Sequence, residues 1–287
     1  MQINLEHTLK NVAELIKDAD AIAIFAGAGM GVDSGLEQYR GSNGLWTKSI
    51  KINNIDVKYY DLMTHNAFDE MPKKAWGFIG SLIERYDSIK PHEGFTKLLE
   101  LLSGKEYFVV TSNCDEHFQK AGYNENSILE CHGSIYYMQC MDIKEKEIWL
   151  TPQIKVNKES VTAEDPLPLC PNCNSNCRPN LFLFGDWFWV STRSAHQQLR
   201  FNSWCKEIKL KYKNILAIEI GAGKAIPTIR NAAERFSENK YPLVRINPND
   251  FEIRSDSHIS ITKGAKESIL KIAETIKLIN KDSSTQI

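Results

Sequence analysis

Ala21 to Trp46 reads AIAIFAGAGMGVDSGLEQYRGSNGLW, and the fold turns on how this stretch is parsed. The run Ala21 to Ala26 is apolar without alternation, as in a parallel strand buried on both faces. Gly27, Gly29 and Gly31 place three glycines in five residues. Such a segment turns tightly and brings its backbone against a ligand with no Cβ in the way. A helix opening just beyond the turn would point free N–H groups at an anion, usually a phosphate. The unit therefore predicts a strand, a glycine turn and a dinucleotide pyrophosphate, the plainer alternative being a tight turn alone. The ordinary dinucleotide fingerprint is incomplete. Val32 stands where the third glycine belongs, and Ser49 to Ile55 holds no acid at the expected distance of about 20 residues.

Composition bounds the rest. At 287 residues the chain can bury one large core, or a core and a satellite domain. It is 42% hydrophobic and 25% charged, an ordinary globular balance, and its net charge of −1 favours neither nucleic acid nor an anionic membrane. No apolar run approaches the ~20 residues of a membrane span. MQINLEHTLKNV lacks the basic-then-apolar layout of a signal peptide. Seven cysteines, an odd number unevenly spread, fit reduced thiols in a cytoplasmic protein better than a disulfide framework.

Outward from the glycine turn, strands and helices alternate. Leu9, Val12, Ala13 and Ile16 recur at helical spacing before the first strand. Lys48 to Lys90 shows no comparable strand pattern and reads as loop and helices, with Ala75, Phe78, Ile79, Leu82 and Ile83 on one core-facing side. Pro91 opens a helix that carries Phe95, Leu98, Leu99 and Leu102 and stops at Gly104. Tyr107 to Val110 is a second buried strand, running into Thr111-Ser112-Asn113-Cys114-Asp115. The carboxyl ends of parallel strands are where such sheets place their chemistry, although an Asn/Asp turn opening a helix looks the same. Asn214 to Ile220 is a strand ending in Gly221-Ala222-Gly223, followed by a helix from Pro227. Leu243 to Ile246 and Ile259 to Ile261 are shorter strands. Ala265, Ile269, Ile272, Ile276 and Ile279 form a closing amphipathic helix. The alternation predicts a doubly wound parallel α/β sheet.

Several stretches, in order, resemble one family. Gly27-Ala28-Gly29, Ser34-Gly35, Tyr39-Arg40-Gly41 and Gly44-Leu45-Trp46 resemble the sirtuin signature GAGxSxxSGIPDFRGxxGLW. Here Gly31 replaces a serine and Glu37-Gln38 replaces Pro-Asp. TSNCDEHFQKAG resembles the sirtuin TQNIDxLHxxAG, with Ser112 for a glutamine and His117-Phe118 for Leu-His. His132-Gly133-Ser134 follows at the family's spacing, and Arg178 to Asp186 resembles RPDVVWFGE. The resemblance spans about residues 20 to 275.

It implies a Rossmann-like NAD-binding domain from residues 1–36, 91–134 and 178–287, with inserts 37–90 and 135–177 building a smaller helical and cysteine-ribbon domain over the cleft. It implies NAD-dependent removal of an acyl group from lysine in a protein or peptide, the acyl oxygen attacking the anomeric carbon as nicotinamide leaves. His132 would be the general base, with Asn113 and Asp115 positioning the ribose and a water. Arg40 and the Gly27–Gly29 turn would hold the phosphates. Met30, Tyr39, Ser112, Gly221, Ala222 and Gly223 complete the implied NAD contacts, and Asn247 would hold the adenosine ribose. The edge at Leu183, Phe184 and Gly185 would pair with the substrate backbone by β-augmentation. Trp187-Phe188-Trp189 adds aromatic bulk beside the implied acyl channel. Sirtuins place zinc cysteines where Cys140, Cys170 and Cys173 stand, but Ile143 replaces the fourth. Cys177 is the candidate replacement and Asp142 a weaker one, and a ribbon held by packing without metal stays open. NAD hydrolysis, transfer of ADP-ribose to protein and a non-enzymatic NAD sensor are the alternatives that the same cleft allows.

Overall fold

The computed structural model describes residues 5–37, 44, 47–52, 55–238 and 240–285. Helix α1 (Leu5–Asp18) leads into β1 (Ala21–Ala26). A hairpin of β2 (Ser49–Ile52) and β3 (Ile55–Lys58) precedes α2 (Tyr59–Leu62), α3 (His65–Glu70), α4 (Pro72–Ser88) and α5 (Glu93–Leu101). Then come β4 (Glu106–Thr111), α6 (His117–Lys120), β5 (Ile128–Glu130), β6 (Gly133–Cys140), β7 (Ile148–Leu150), β8 (Val156–Asn157), β9 (Thr162–Ala163) and β10 (Cys177–Leu181). The chain closes with α7 (Thr192–Lys211), β11 (Ile215–Ile220), α8 (Thr228–Ser237), β12 (Leu243–Ile246), β13 (Ile259–Ile261) and α9 (Ala265–Thr285).

Six strands form one sheet in the order β13-β12-β11-β1-β4-β5, every pair parallel. From β1 the chain builds outward through β4 and β5, then returns to the other side of β1 and builds outward through β11, β12 and β13. The order reverses between β1 and β11, which makes their carboxyl ends a topological switch point, the usual ligand crevice of such sheets. Burial on both faces explains the absence of alternation in β1. Ile22, Ile24 and Ala26 enter a core with residues of α1, α5 and α9, while Ala23 and Phe25 enter another with residues of α8. Each buried isoleucine contributes about 1.5–3 kcal/mol.

A second sheet, β10-β6-β7, is antiparallel and belongs to a separate hydrophobic cluster with α3 and α4. Trp76 of α4 is 1% exposed, and its Nε1 donates to the Cys177 carbonyl at 2.9 Å. At Gly77 a Cβ would lie 2.3 Å from the Val161 carbonyl oxygen, so α4 packs directly on the β8–β9 hairpin.

The structure corrects four expectations. Residues 48–90 contain the β2–β3 hairpin as well as helices. No α-helix follows the glycine turn among the described residues; Ala28–Met30 and Val32–Ser34 are two 3-10 turns, separated by Gly31. The helix expected from Pro91 begins at Glu93, with the His92 side chain accepting from the Gly94 N–H. The division expected after residue 177 runs through β10, whose pairing with β6 puts Cys177–Leu181 in the small sheet.

Candidate active site

The glycine turn and the end of β11 are built into each other. Gly27 N donates to the Ile220 carbonyl at 2.9 Å and Gly29 N to the Gly221 carbonyl at 3.0 Å. A Cβ on Gly29 would stand 2.6 Å from the Gly221 Cα, and one on Gly27 2.6 Å from the Gly221 oxygen. Gly221 has φ 63°, which favours glycine in its own right. These glycines therefore serve first to let two strand ends meet. Met30, expected among the cofactor contacts, does not line the crevice. It is fully buried in the core beneath the turn, and its carbonyl accepts from His92 Nε2 at 2.9 Å.

Over this junction opens a cavity of about 780 Å³. Gly27, Ala28, Gly29, Gly221, Ala222 and Gly223 line its floor, and Ser112, Asn113, His132, Leu183, Phe184, Gly185 and Asn247 line its walls. The backbone N–H groups of Ala28, Ala222 and Gly223 make no hydrogen bond among the described residues, which suits a floor that receives phosphate oxygens. Asn113 is 8% exposed; its backbone N–H is held by Thr111 Oγ1 at 3.0 Å and its Nδ2 donates to the Gly27 carbonyl at 3.1 Å. Asn247 pins the opposite loop, donating from Nδ2 to the Ala222 carbonyl and accepting at Oδ1 from Asn249 N and Asp250 N, each at 3.0 Å.

His132 stands on the turn between β5 and β6. Burial lowers its pKa below the ordinary 6.5, so the ring is neutral and basic at neutral pH. Its carbonyl accepts from Phe182 N at 3.0 Å, which ties the base to the start of the implied substrate edge. That edge differs from expectation. The strand ends at Leu181, and Phe184 makes a lone parallel bridge with Thr64, its N–H already taken by the Met63 carbonyl at 3.1 Å, before the chain turns at Gly185. Asp186 shapes the turn. Its carboxylate accepts from Leu183 N at 3.2 Å and Phe188 N at 2.9 Å, and pairs with Arg178 at 2.8 Å, both side chains fully buried. Of the three aromatics that follow, only Trp187 lines the cavity, 91% exposed; Phe188 lies against His65 and Trp189 against Phe182.

Asp115 is a second correction among the site residues. It is buried and does not line the cavity; its Oδ1 accepts from His117 N at 2.9 Å, at the first residue of the short α6. Burial pushes its carboxyl up to about 6. Tyr39 and Arg40, with Gln38, lie outside the described residues. Asp33, Lys224, Asp250 and Gly264 line the cavity without any local motif to announce them. Asp33 Oδ2 accepts from Lys266 N at 2.8 Å, joining the glycine turn to the start of α9 across almost the whole chain.

At the far end of the small sheet the sulfurs of Cys140, Cys170 and Cys173 lie within 4.8 Å of one another. Three soft donors so close fit a thiolate-bound ion such as zinc. Cys177 is directly across from Cys140 in register but is not part of this mutually close set. It is fully buried, and burial pushes its thiol up to about 12. Asp142 turns toward the backbone, its Oδ1 accepting from Lys144 N.

A sequence model described as the Sir2 family matches residues 27–202. This chain belongs to the Sir2 family. Among its relatives, a protein of Pyrococcus abyssi named NAD-dependent protein deacylase is 32% identical over 176 residues, a match covering 61% of this sirtuin and 65% of that protein. A Thermus thermophilus protein of the same name is 24% identical over 271 residues, covering 91% and 92% of the two chains. The fold of this sirtuin is also that of a Sir2 homologue solved with NAD, with a TM-score of 0.68 at 18% identity over 94% of each chain. A structure described as addressing the mechanism and regulation of Sir2 enzymes gives 0.66 at 23% identity, over 96% of this sirtuin and 99% of that chain. The cysteine trio lies within the matched span, on the ribbon where the family's zinc cysteines were expected.

Proposed function

We propose that this sirtuin is an NAD-dependent protein deacylase, moving an acyl group from a lysine side chain to ADP-ribose with release of nicotinamide. The observation that carries the reading is the single cavity at the switch point. It joins two glycine-rich strand ends, suited to a pyrophosphate, with a neutral histidine and the segment Leu183–Gly185. NAD enters as a substrate. Asn113, braced to the glycine turn, is the side chain placed to orient its ribose. When the nicotinamide–ribose bond breaks, positive character develops on the anomeric carbon, and the acyl oxygen is the nucleophile that captures it. His132 then takes a proton from a ribose hydroxyl, the hydroxyl oxygen attacks the acyl carbon, the lysine amine leaves carrying a proton, and a water adds to the cyclic cation left behind to open it to the acyl ester of ADP-ribose. Asp115, shut away from the cavity, acts by holding the Asn113–His117 segment rather than by touching substrate.

Zinc, if bound through Cys140, Cys170 and Cys173, supplies a structural cross-link to the ribbon and takes no part in the reaction. The substrate partner is an acyl-lysine protein or peptide, and neither nucleic acid nor membrane is required. No helix among the described residues is long and apolar enough to cross a membrane. A cytoplasmic location agrees with the reduced thiols that the cysteine trio needs.

Nicotinamide release from NAD, measured with and without a panel of acyl-lysine peptides, tests the reading. Release that depends on peptide is expected. Equal release with and without every peptide would move the function to NAD hydrolysis.

A further inference from the structure

A catalytic base is ordinarily held in direction by a third group bonded to it. For the His132 ring, burial is the cause of its shifted pKa, and Phe182 is its aromatic neighbour, with centroids 6.2 Å apart and planes inclined by 47°. Neither fixes a ring nitrogen. Where the imidazole stands is therefore set first by the backbone that carries it.

That backbone is anchored on both sides. Downstream, Gly133 has φ 80°, and a Cβ there would lie 2.1 Å from the Asn180 carbonyl oxygen, so the chain leaves His132 along one path. Upstream, Cys131 N donates to the Thr111 carbonyl at 2.8 Å. Before it comes Glu130, a carboxylate 1% exposed at the end of β5. α7 grips Glu130 at three points. Its N–H donates to Gln197 Oε1 at 3.0 Å, and its carbonyl accepts from Ser194 Oγ at 3.1 Å. Its Oε2 accepts from Gln197 Nε2 at 3.2 Å and pairs with Arg193 Nη2 at 2.5 Å. Arg193 is in turn laid over the Tyr137 ring, 4.4 Å from its centroid.

A buried ion pair is a poor device for stability, since an apolar pair of the same volume often does as well. This one holds backbone as well as charge, two residues from His132. We infer that Glu130 is a positioning residue. Gripped by Arg193, Ser194 and Gln197, it locks the turn that carries His132 to α7 and so sets where the ring stands beside Asn113 and Leu183–Gly185. The role rests on His132 being the base proposed above. Misplacing a catalytic group by about 1 Å can cost about a hundredfold in rate, so a loosened turn is felt in the chemistry before it is felt in binding.

Gln197→Met removes both amide contacts at nearly constant volume. Ser194→Ala removes the carbonyl contact alone and covers the case in which the Gln197 variant does not fold. Both variants are expected to slow product formation, Gln197→Met by about tenfold or more. Nicotinamide exchange and the NAD-induced rise in melting temperature should be largely kept, because the base acts after the nicotinamide bond breaks. The double variant Gln197→Met, His132→Ala should form product no more slowly than His132→Ala alone, since no ring is left to aim. NMR signals of the His132 ring should move in Gln197→Met whatever reaction the protein catalyses. Equal slowing of exchange and product formation, a loss that multiplies with that of His132→Ala, or unmoved ring signals would each overturn the inference. Normal product formation by His132→Ala would instead remove the base from the proposed function, while the ring signals would still report whether α7 aims the ring.

Discussion

At the switch point of the large sheet, the backbone of one turn lies directly on the backbone of another, whereas the cluster between α3, α4 and the small sheet is filled by side chains, apart from the close approaches of Gly77 to the β8–β9 hairpin and of Gly133 to β10. Gly27 and Gly29 meet Gly221 at distances where no Cβ fits. The β10-β6-β7 region relies on Trp76, Phe68, Leu181 and their neighbours, with three thiols gathered at its far end. A backbone junction has no rotamers with which to absorb a change; a side-chain cluster has many. The two regions should therefore fail differently.

The junction supplies the largest expected effect. In Gly29→Val the added Cβ would strike the Gly221 Cα, so the variant disturbs the junction before it can block a phosphate. It should cost at least about 3 kcal/mol by urea unfolding, the upper end for overpacking. Wild-type stability in this variant would dissolve the contrast between the regions. Next comes His132→Ala, where the two regions meet. Loss of a general base should slow deacylation by about a hundredfold or more, and the stabilisation by NAD should persist. The acid limb of the wild-type pH–rate profile should fall below pH 6.5, because burial lowers the His132 pKa from that value.

A smaller effect sharpens the picture beside the junction. Burial raises the Asp115 carboxyl to about 6 and lowers His117 to about 4. The raised carboxyl stabilises the fold at low pH and loses that contribution as pH rises from its unfolded value near 3.8 through 6. The lowered histidine does the reverse, its contribution being complete above 6.5 and lost as pH falls toward 4. At about 1.4 kcal/mol per unit the two slopes nearly cancel. His117→Leu, which restores the residue type of the family pattern, should leave a fold that gains stability between neutral pH and pH 5. A urea midpoint that still falls on acidification would contradict this. The smallest stability change is expected at the far end of the small sheet. Cys173→Ser should lose bound zinc in elemental analysis, and Cys177→Ser should keep it. Less than about a tenth of an equivalent in the unaltered protein, never exposed to chelator, would mark a ribbon held by packing alone.

Most of the large sheet was legible because both of its faces are buried, and a run such as Ala21–Ala26 or Ile215–Ile220 leaves a continuous apolar signature. Asn113 was singled out because it lies just past a predicted strand, whereas His132 was singled out only by its resemblance to the sirtuin spacing, since the short β5 before it left no pattern of its own. Met30 misled because the turn after Gly29 tightens into a 3-10 coil that drives its side chain inward. Asp115 misled because an acid that braces its own turn, here by accepting from His117 N, looks the same in sequence as one that meets a ribose. The β2–β3 hairpin is four residues a side, too short to declare a period. Asp33, Lys224 and Gly264 reach the cavity through contacts between distant segments, which local patterns do not record.

The junction of Gly29 with Gly221 also has a consequence for how the protein is made. The neighbouring bond between Asp20 and Asn214 joins residues 194 positions apart. At roughly 5–20 residues per second, the second wall of the crevice leaves the ribosome about 10–40 s after the first. Throughout that interval β1 has an open edge on the side where β11 will pair, an apolar strand with unmet N–H and C=O groups. A nascent chain halted before β11 should thus have no nucleotide crevice, however well α4 and the small sheet have set.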